Sequence, residues 1–179
     1  LRPLGIEAYL GEEPPRPPAV VAGVGEPHAG TPLEVFNSPF WRSLALPWGG
    51  MVTTAAGALK LVRAFAGEPA GYLRPETLAA ATHDQTNGLP TPAGGPYDFM
   101  AGPWGLGPEL RGDKALWAPA EAGADSFGHV GASGCMTWVA PAAGVAWAAL
   151  ASRVIGEPDH WLFTGAAAAG RAILDGARS

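Results

Sequence analysis

Residues 126–135, SFGHVGASGC, include the side chains and backbone features from which an acyl-transfer site could be built. Gly131, at the start of an apolar strand, would let a ligand approach the backbone closely. The N–H groups that follow, near Ala132, could donate hydrogen bonds to the oxyanion that develops when a carbonyl is attacked. His129 would stand beside such a site as a polar or titrating group. The segment is equally typical of a tight bend before a strand.

Ser133 is a second candidate, because Gly131-Ala132-Ser133-Gly134 resembles the start of a G-x-S-x-G nucleophile elbow. The fifth position is Cys135 rather than glycine, and an elbow needs a helix directly after its serine, where a strand is expected here. We therefore interpret Ser133 as a turn residue. His129 and Cys135 could form a thiol–imidazole pair, but a thiol in a buried strand is usually inert. The residues alone favour a structural role for His129.

Composition argues against several other kinds of site. A single cysteine excludes an internal disulfide and a multi-cysteine zinc site. The four histidines show no i,i+4 pair, so we expect no metal and no cofactor. The net charge of −5 gives no basic surface for nucleic acid. No apolar run approaches the roughly 20 residues of a membrane span. The seven tryptophans are more typical of a core, although Trp48, Trp104 and Trp117 could line a cleft.

Hydrophobic periodicity predicts the elements that must position this segment. Residues 53–66, TTAAGALKLVRAFA, have helical spacing with one apolar stripe, and Thr53 or Thr54 can cap the start. Gly67 is placed to end that helix. A second, short helix is predicted from Pro75, because proline is favoured at the first helical position.

The middle of the chain reads as loops and strands. Residues 87–95 form a loop by composition, and residues 102–112, GPWGLGPELRG, predict a short strand with glycine bends. Two apolar runs, residues 134–140 and 145–152, are joined by PAAG and predict a hairpin with a tight turn. Both runs are apolar on both faces, which predicts strands in the middle of a sheet with a layer on each side.

The chain is predicted to end in a helix over about residues 159–176, with Asp159 as its cap. The buried stripe of this helix is expected at Leu162, Ala166, Ala169 and Ile173. Helices, antiparallel strands and a covering helix together give an α+β fold. The 179 residues, 47% hydrophobic and 15% charged, are enough for a single domain with a real core, spanning residues 1–179.

Longer stretches resemble the serine beta-lactamase-like superfamily, in the class C branch that includes class C beta-lactamases, D-Ala-D-Ala peptidases and related esterases. FGHVGASGCMTWVAPAAGVAWAALASR looks like the last motif of that family, a Lys-Thr-Gly or His-x-Gly on an inner strand followed by a glycine-rich bend and a hairpin. LRPLGI is similar to the PLGM that follows the family's Tyr-x-Asn motif. PWGGMVTTAAGALKLVRAF and LRPETLAAATHDQTNGLP resemble its GGLxSTAxDLxRF and LSPETVxxMTxxQ segments.

The resemblance implies a fold and a set of site residues. The fold would be the C-terminal part of a beta-lactamase/transpeptidase-like structure, an antiparallel sheet covered by helices. Carried over by position, His129, Val130 and Gly131 take the third motif, and the Ala132 amide takes the oxyanion-hole role. His129, Gly131 and Ala132 are thus the implied catalytic positions, and Val130 and Ser133 the substrate-binding ones. Val130 replaces the motif's threonine and offers no hydroxyl to a substrate carboxylate, which favours esterase-like chemistry.

The family's other motifs are missing from these residues. None of the six serines has a lysine three positions later, and no tyrosine is followed by asparagine two positions later. We therefore expect the C-terminal portion of a penicillin-binding-protein-like serine hydrolase, inactive alone, whose intact form acts on a small-molecule ester or amide. Its expected partner is the missing N-terminal segment or a second copy, because a half-chain leaves a sheet edge and apolar faces uncovered. The alternative is a non-catalytic binding or interaction module with the same fold.

Overall fold

The computed structural model describes residues 1–25, 27–87, 102–114, 116–156 and 159–179. It contains both helices and antiparallel strands, and the predicted α+β class is confirmed. The helices are α1 (Pro39–Ser43), α2 (Ala55–Phe65), α3 (Pro75–Thr82), α4 (Trp161–Thr164) and α5 (Ala166–Arg178). The strands are β1 (Ala8–Tyr9), β2 (Val52–Thr53), β3 (Glu109–Leu110), β4 (Phe127–Gly131), β5 (Cys135–Ala140) and β6 (Val145–Ala149). The loop predicted over residues 87–95 lies almost wholly outside the described residues.

The described chain divides into two compact units. The first contains Leu1–Leu61, Val130–Met136 and Ala148–His160. The second contains Val62–His129, Thr137–Trp147 and Trp161–Ser179. None of the described helices combines the length and the apolar character that a membrane crossing requires.

Two sheets are formed by the described strands. β1 and β2 pair in antiparallel fashion, with Ala8 opposite Thr53. The larger sheet has the order β3-β4-β5-β6, and its first pair is antiparallel, with Glu109 opposite Gly128. In the segment predicted as a short strand with glycine bends, only Glu109–Leu110 is strand, together with an isolated bridge from Trp104 to Glu109.

The predicted hairpin is confirmed, but the burial predicted for its second strand is wrong. β5 and β6 are joined by a 3₁₀ turn over Pro141–Ala143. β5 lies inside the strand order, and most of its residues are buried. β6 ends the order among the described strands, and only its Trp147 is buried. The small side chains of an alanine-rich strand carry little apolar surface, so burial of both faces of β6 would contribute little free energy. The apolar composition of β6 therefore did not show that this strand ends the strand order.

The two predicted helices in the first half are confirmed. α2 is capped by Thr54, whose Oγ1 accepts a 3.1 Å hydrogen bond from the Gly57 N–H. Thr53 instead donates its hydroxyl to the Glu7 carbonyl at 2.8 Å. Gly67 has a φ of 87°, a left-handed conformation suited to glycine at a helix end. α3 begins at Pro75, as its sequence predicts.

The C-terminal helix differs from the prediction in two respects. It is divided at Gly165 into α4 and α5, and its buried positions follow a different stripe. Buried residues are Leu162, Ala166, Gly170 and Leu174, whereas Ala169 and Ile173 are exposed. Gly170 decides the face, because a Cβ there would lie 2.9 Å from Pro119 Cδ and 3.2 Å from Trp147 Cζ2. Leu162 and Ala166 agree with the prediction, and the error begins after Ala166, where spacings of three and four residues are equally compatible with a helical stripe.

Candidate functional site

The turn that follows β4 is built on one backbone hydrogen bond. The Gly134 N–H donates to the Gly131 carbonyl at 2.8 Å, which closes a four-residue turn. The carbonyl and the N–H of a trans peptide point in opposite directions. Since the Gly131 carbonyl points into the turn, the N–H of the same peptide, that of Ala132, points away from it. Ala132 is exposed, and this places its amide at the surface of the first unit.

A second hydrogen bond fixes the other side of Ala132. Its carbonyl accepts a 3.0 Å bond from the Ile155 N–H. Two successive peptides of the turn are thereby held by backbone partners, one at Gly134 and one at Ile155. A fixed N–H dipole is what stabilisation of a developing oxyanion requires, since it costs no reorganisation when the charge appears.

Gly134 allows the turn to lie directly against the segment that carries Arg153 and His160. Its φ is 86°, and a Cβ would overlap with the Arg153 carbonyl oxygen and lie 2.9 Å from His160 Nε2. His160 is 2% exposed, and its Nε2 lies 3.0 Å from the same carbonyl oxygen. The buried His160 side chain therefore packs against the turn at Gly134. Sequence reasoning could not single out His160, because it is one of four isolated histidines.

The serines of the segment have local partners. Ser133 Oγ donates to Cys135 Sγ at 3.5 Å, and Cys135 Sγ donates to the Ala151 carbonyl at 3.6 Å. Cys135, expected to be buried, is half-buried. Ser126 is fully buried; its Oγ donates to the Gly123 carbonyl at 2.7 Å and accepts from Trp138 Nε1 at 3.2 Å. These contacts agree with Ser133 as a turn residue.

Val130 and His129 are neighbours in β4 with opposite exposure. Val130 is 7% exposed, so any contact of this residue with a substrate would come from its backbone. His129 is exposed. The strand that carries the three positions of the motif thus presents an imidazole to solvent immediately before the turn.

In the second unit, His129 lies beside the Trp104 indole, which in turn contacts the Lys114 ammonium group. The rings of Trp104 and His129 are 5.5 Å apart between centroids, with 66° between their planes. Lys114 Nζ lies 5.7 Å from the centroid of the Trp104 ring, within the range of a cation–π contact. The same Nζ donates to Glu109 Oε1 at 2.6 Å. Of the three tryptophans considered as cleft residues, Trp104 is placed beside His129, whereas Trp117 is 2% exposed and Trp48 is 74% exposed.

Glu109 is the most buried charged side chain of this group. It is 1% exposed, and burial raises the pKa of its carboxyl, although the hydrogen bond and the charge of Lys114 act in the opposite direction. Sequence reasoning missed Glu109 and Lys114, because a Glu and a Lys five residues apart in a loop-rich segment give no periodic signal. No cluster of three or more metal-ligating side chains is found in the part of the chain that the structure describes.

Comparisons with known proteins bear on the family and the fold of this chain. A family model described as Beta-lactamase matches residues 1–169. A search of curated proteins finds no match. A beta-lactamase structure from Mycobacterium bovis is similar, with 29% identity, a TM-score of 0.58, and coverage of 72% of this chain and 46% of its own. A penicillin-binding protein homologue from Caulobacter crescentus has 25% identity, a TM-score of 0.59, and coverage of 94% and 50%. The chain thus spans about half the length of these two structures.

Proposed function

The chain belongs to the beta-lactamase family, and on that premise we propose that it supplies the third-motif strand and the oxyanion turn of a penicillin-binding-protein-like serine hydrolase. The observation that carries this proposal is the Ala132 amide, which follows His129-Val130-Gly131 and points away from a turn closed by the Gly134 N–H. The nucleophile would come from residues outside these 179, since none of the six serines here has a lysine three positions later.

The reaction would proceed through an acyl-enzyme. A serine hydroxyl attacks the carbonyl carbon of an ester or amide, and the carbonyl oxygen becomes an oxyanion that accepts a hydrogen bond from Ala132 N–H. The bond to the leaving alcohol or amine then breaks, and water later releases the acid. A lysine and a tyrosine from the two motifs missing here would move the protons. His129 would shape the electrostatic field beside the oxyanion.

The substrate class follows from Val130. A threonine at this position would offer a hydroxyl to a substrate carboxylate, and valine offers none. The burial of the Val130 side chain leaves that position apolar. We therefore expect esters to be better substrates for this protein than the carboxylate-bearing peptides and lactams on which other members of the family act.

The partner would be the segment that contains the nucleophile, or a second copy of the chain. Support comes from large apolar side chains that are exposed in the described residues, among them Val20 at 71% and Trp48 at 74%. Exposed apolar side chains of this size favour association. Light scattering on the pure chain should report a species larger than 18.2 kDa, and a monomeric sample that melts cooperatively would count against this partner.

The test uses the gene product that includes the sequence encoded upstream of this chain. Ala132→Pro removes the N–H and places proline at the second position of a four-residue turn, where it is favoured. We expect kcat for a nitrophenyl ester to fall about 10²–10³-fold, the usual effect of losing one oxyanion donor. Ala132→Ser keeps the N–H and should lose far less.

Two results would overturn the proposal. Equal rates for Ala132→Pro and Ala132→Ser, with unchanged melting temperatures, would remove Ala132 from the oxyanion site. An upstream sequence without Ser-x-x-Lys and Tyr-x-Asn would identify a non-catalytic module instead.

A further inference from the structure

We propose that Trp104 is a positioning residue for His129, and that the buried Glu109–Lys114 ion pair holds the Trp104 indole in place. This inference rests on the proposed function, in which His129 lies beside the reacting oxygen. Trp104, Glu109 and Lys114 have no part in the family motif that identified His129. They belong to the second unit, as His129 does.

The backbone first places Trp104 and the strand of His129 on the two sides of β3. Glu109 forms an antiparallel bridge with Trp104 and is also the register partner of Gly128, the residue before His129. β3 therefore lies between the two, and the indole and the imidazole meet across it. On the other side of β4, Gly128 lets this strand lie close to β5, because a Cβ would overlap with the Thr137 carbonyl oxygen.

The backbone at Trp104 is itself fixed by α3 and by the residues that directly follow it. The Trp104 carbonyl accepts a 2.7 Å hydrogen bond from the Gln85 N–H. The next residue, Gly105, lies so close to α3 that a Cβ would overlap with the carbonyl oxygen of Ala81. The position of the Trp104 Cα is thus set by backbone contacts, and the orientation of its ring is a separate matter.

The ion pair supplies that orientation. Lys114 Nζ, 5.7 Å from the Trp104 centroid, is attracted by the ring's electron density, and its own position is set by the 2.6 Å bond to Glu109. Glu109 is 1% exposed and its partner's side chain 18% exposed, so solvent screens this pair weakly. The cation faces the indole, and the indole in turn contacts the imidazole. Removing the cation should change the orientation of the indole, and with it the distance and angle between the indole and the imidazole.

The experiment is a ¹H–¹³C NMR spectrum of the histidine rings in the full chain. The His129 signals are assigned with His129→Gln, and Trp104→Leu defines the full shift that the indole ring current causes. Lys114→Met keeps the length of the side chain and removes the charge. We expect it to produce most of the shift seen in Trp104→Leu, whereas Lys114→Arg, which keeps a cation, should produce little of it. The signals of His28, His83 and His160 should stay in place.

Lys60→Met is the matched control, because Lys60 is the only other lysine and donates to the Gly5 carbonyl in the first unit. Lys114→Met leaves the buried Glu109 carboxylate without its cation, so the double variant Glu109→Gln/Lys114→Met is measured beside it to keep the fold. His129 signals at their wild-type positions in a folded double variant would overturn the inference. Because the readout needs no activity, a failure of acyl transfer would count against the proposed function and leave this inference standing.

Discussion

The backbone N–H of Ile155 donates a 3.0 Å hydrogen bond to the carbonyl of Ala132, which joins the candidate oxyanion turn to a segment more than twenty positions later in the chain. That segment is itself tied to the N-terminal part of the chain. The Ala22 N–H donates to the Ser152 carbonyl at 2.8 Å, and the Val154 N–H donates to the Ala22 carbonyl at 2.9 Å. The orientation of Ala132 is therefore set by residues from three separate stretches of sequence.

Gly134→Ala should lower the free energy of unfolding more than the same substitution at Gly144, which lies in the turn between β5 and β6. The left-handed conformation costs an alanine roughly 1–2 kcal/mol, and overlap with the Arg153 carbonyl oxygen, which cannot rotate away, adds about 1–3 kcal/mol. Gly144→Ala is the control, with a φ of 65° but open space around its Cβ. Urea unfolding measures both. Equal losses would show that the packing of the turn on Arg153 does not contribute to stability.

Ser126→Ala should leave the buried indole N–H of Trp138 without its acceptor. Trp138 is 1% exposed, and a buried donor left unpaired costs about 1–3 kcal/mol. Ser43→Ala removes a hydroxyl that donates to the Phe40 carbonyl at an exposed site and should change the free energy of unfolding by less than about 0.5 kcal/mol. A Ser126 variant as stable as the Ser43 variant would mean that Trp138 finds another acceptor.

Glu109 should make stability depend on pH in a defined direction. Burial raises the pKa of its carboxyl above the ordinary 4.5, so the folded state binds this proton more tightly than the unfolded state. The contribution of the protonated form is present below pH 4.5 and is lost as the pH rises through the higher folded pKa. The unfolding free energy of the wild type minus that of Glu109→Gln should therefore fall as the pH rises above 4.5. A difference that rises over this interval would mean that Lys114 dominates and the pKa is lowered.

The sequence analysis correctly predicted those features that depend on a few adjacent residues. Thr54 as a cap, Gly67 as a helix end, Pro75 as a helix start and the PAAG turn all depend on the conformational preferences of a few adjacent residues. The resemblance to the third motif could also be recognised locally, since its three positions, residues 129–131, are consecutive. The oxyanion role of Ala132 remains a prediction, supported by the direction of its peptide.

The remaining features depend on contacts between distant residues. The buried face of α5 is decided by Pro119 and Trp147 packing on Gly170, and periodicity within the helix cannot report either contact. His160 supports the turn only because Gly134 lets the backbone approach. The placement of Trp104 and Gly128 beside Glu109 follows from strand register, which a single sequence with short strands leaves open.

The central claim is that this chain carries the oxyanion turn of an acyl-enzyme and not its nucleophile. The most direct measurement is the intact mass of the pure 179-residue chain after incubation with a nitrophenyl ester and with a fluorescent penicillin. We expect the mass to stay unchanged in both reactions, whereas the gene product with its upstream sequence gains one acyl group at a serine followed by lysine three positions later. A stoichiometric acyl adduct on one defined serine of the isolated chain would contradict this account.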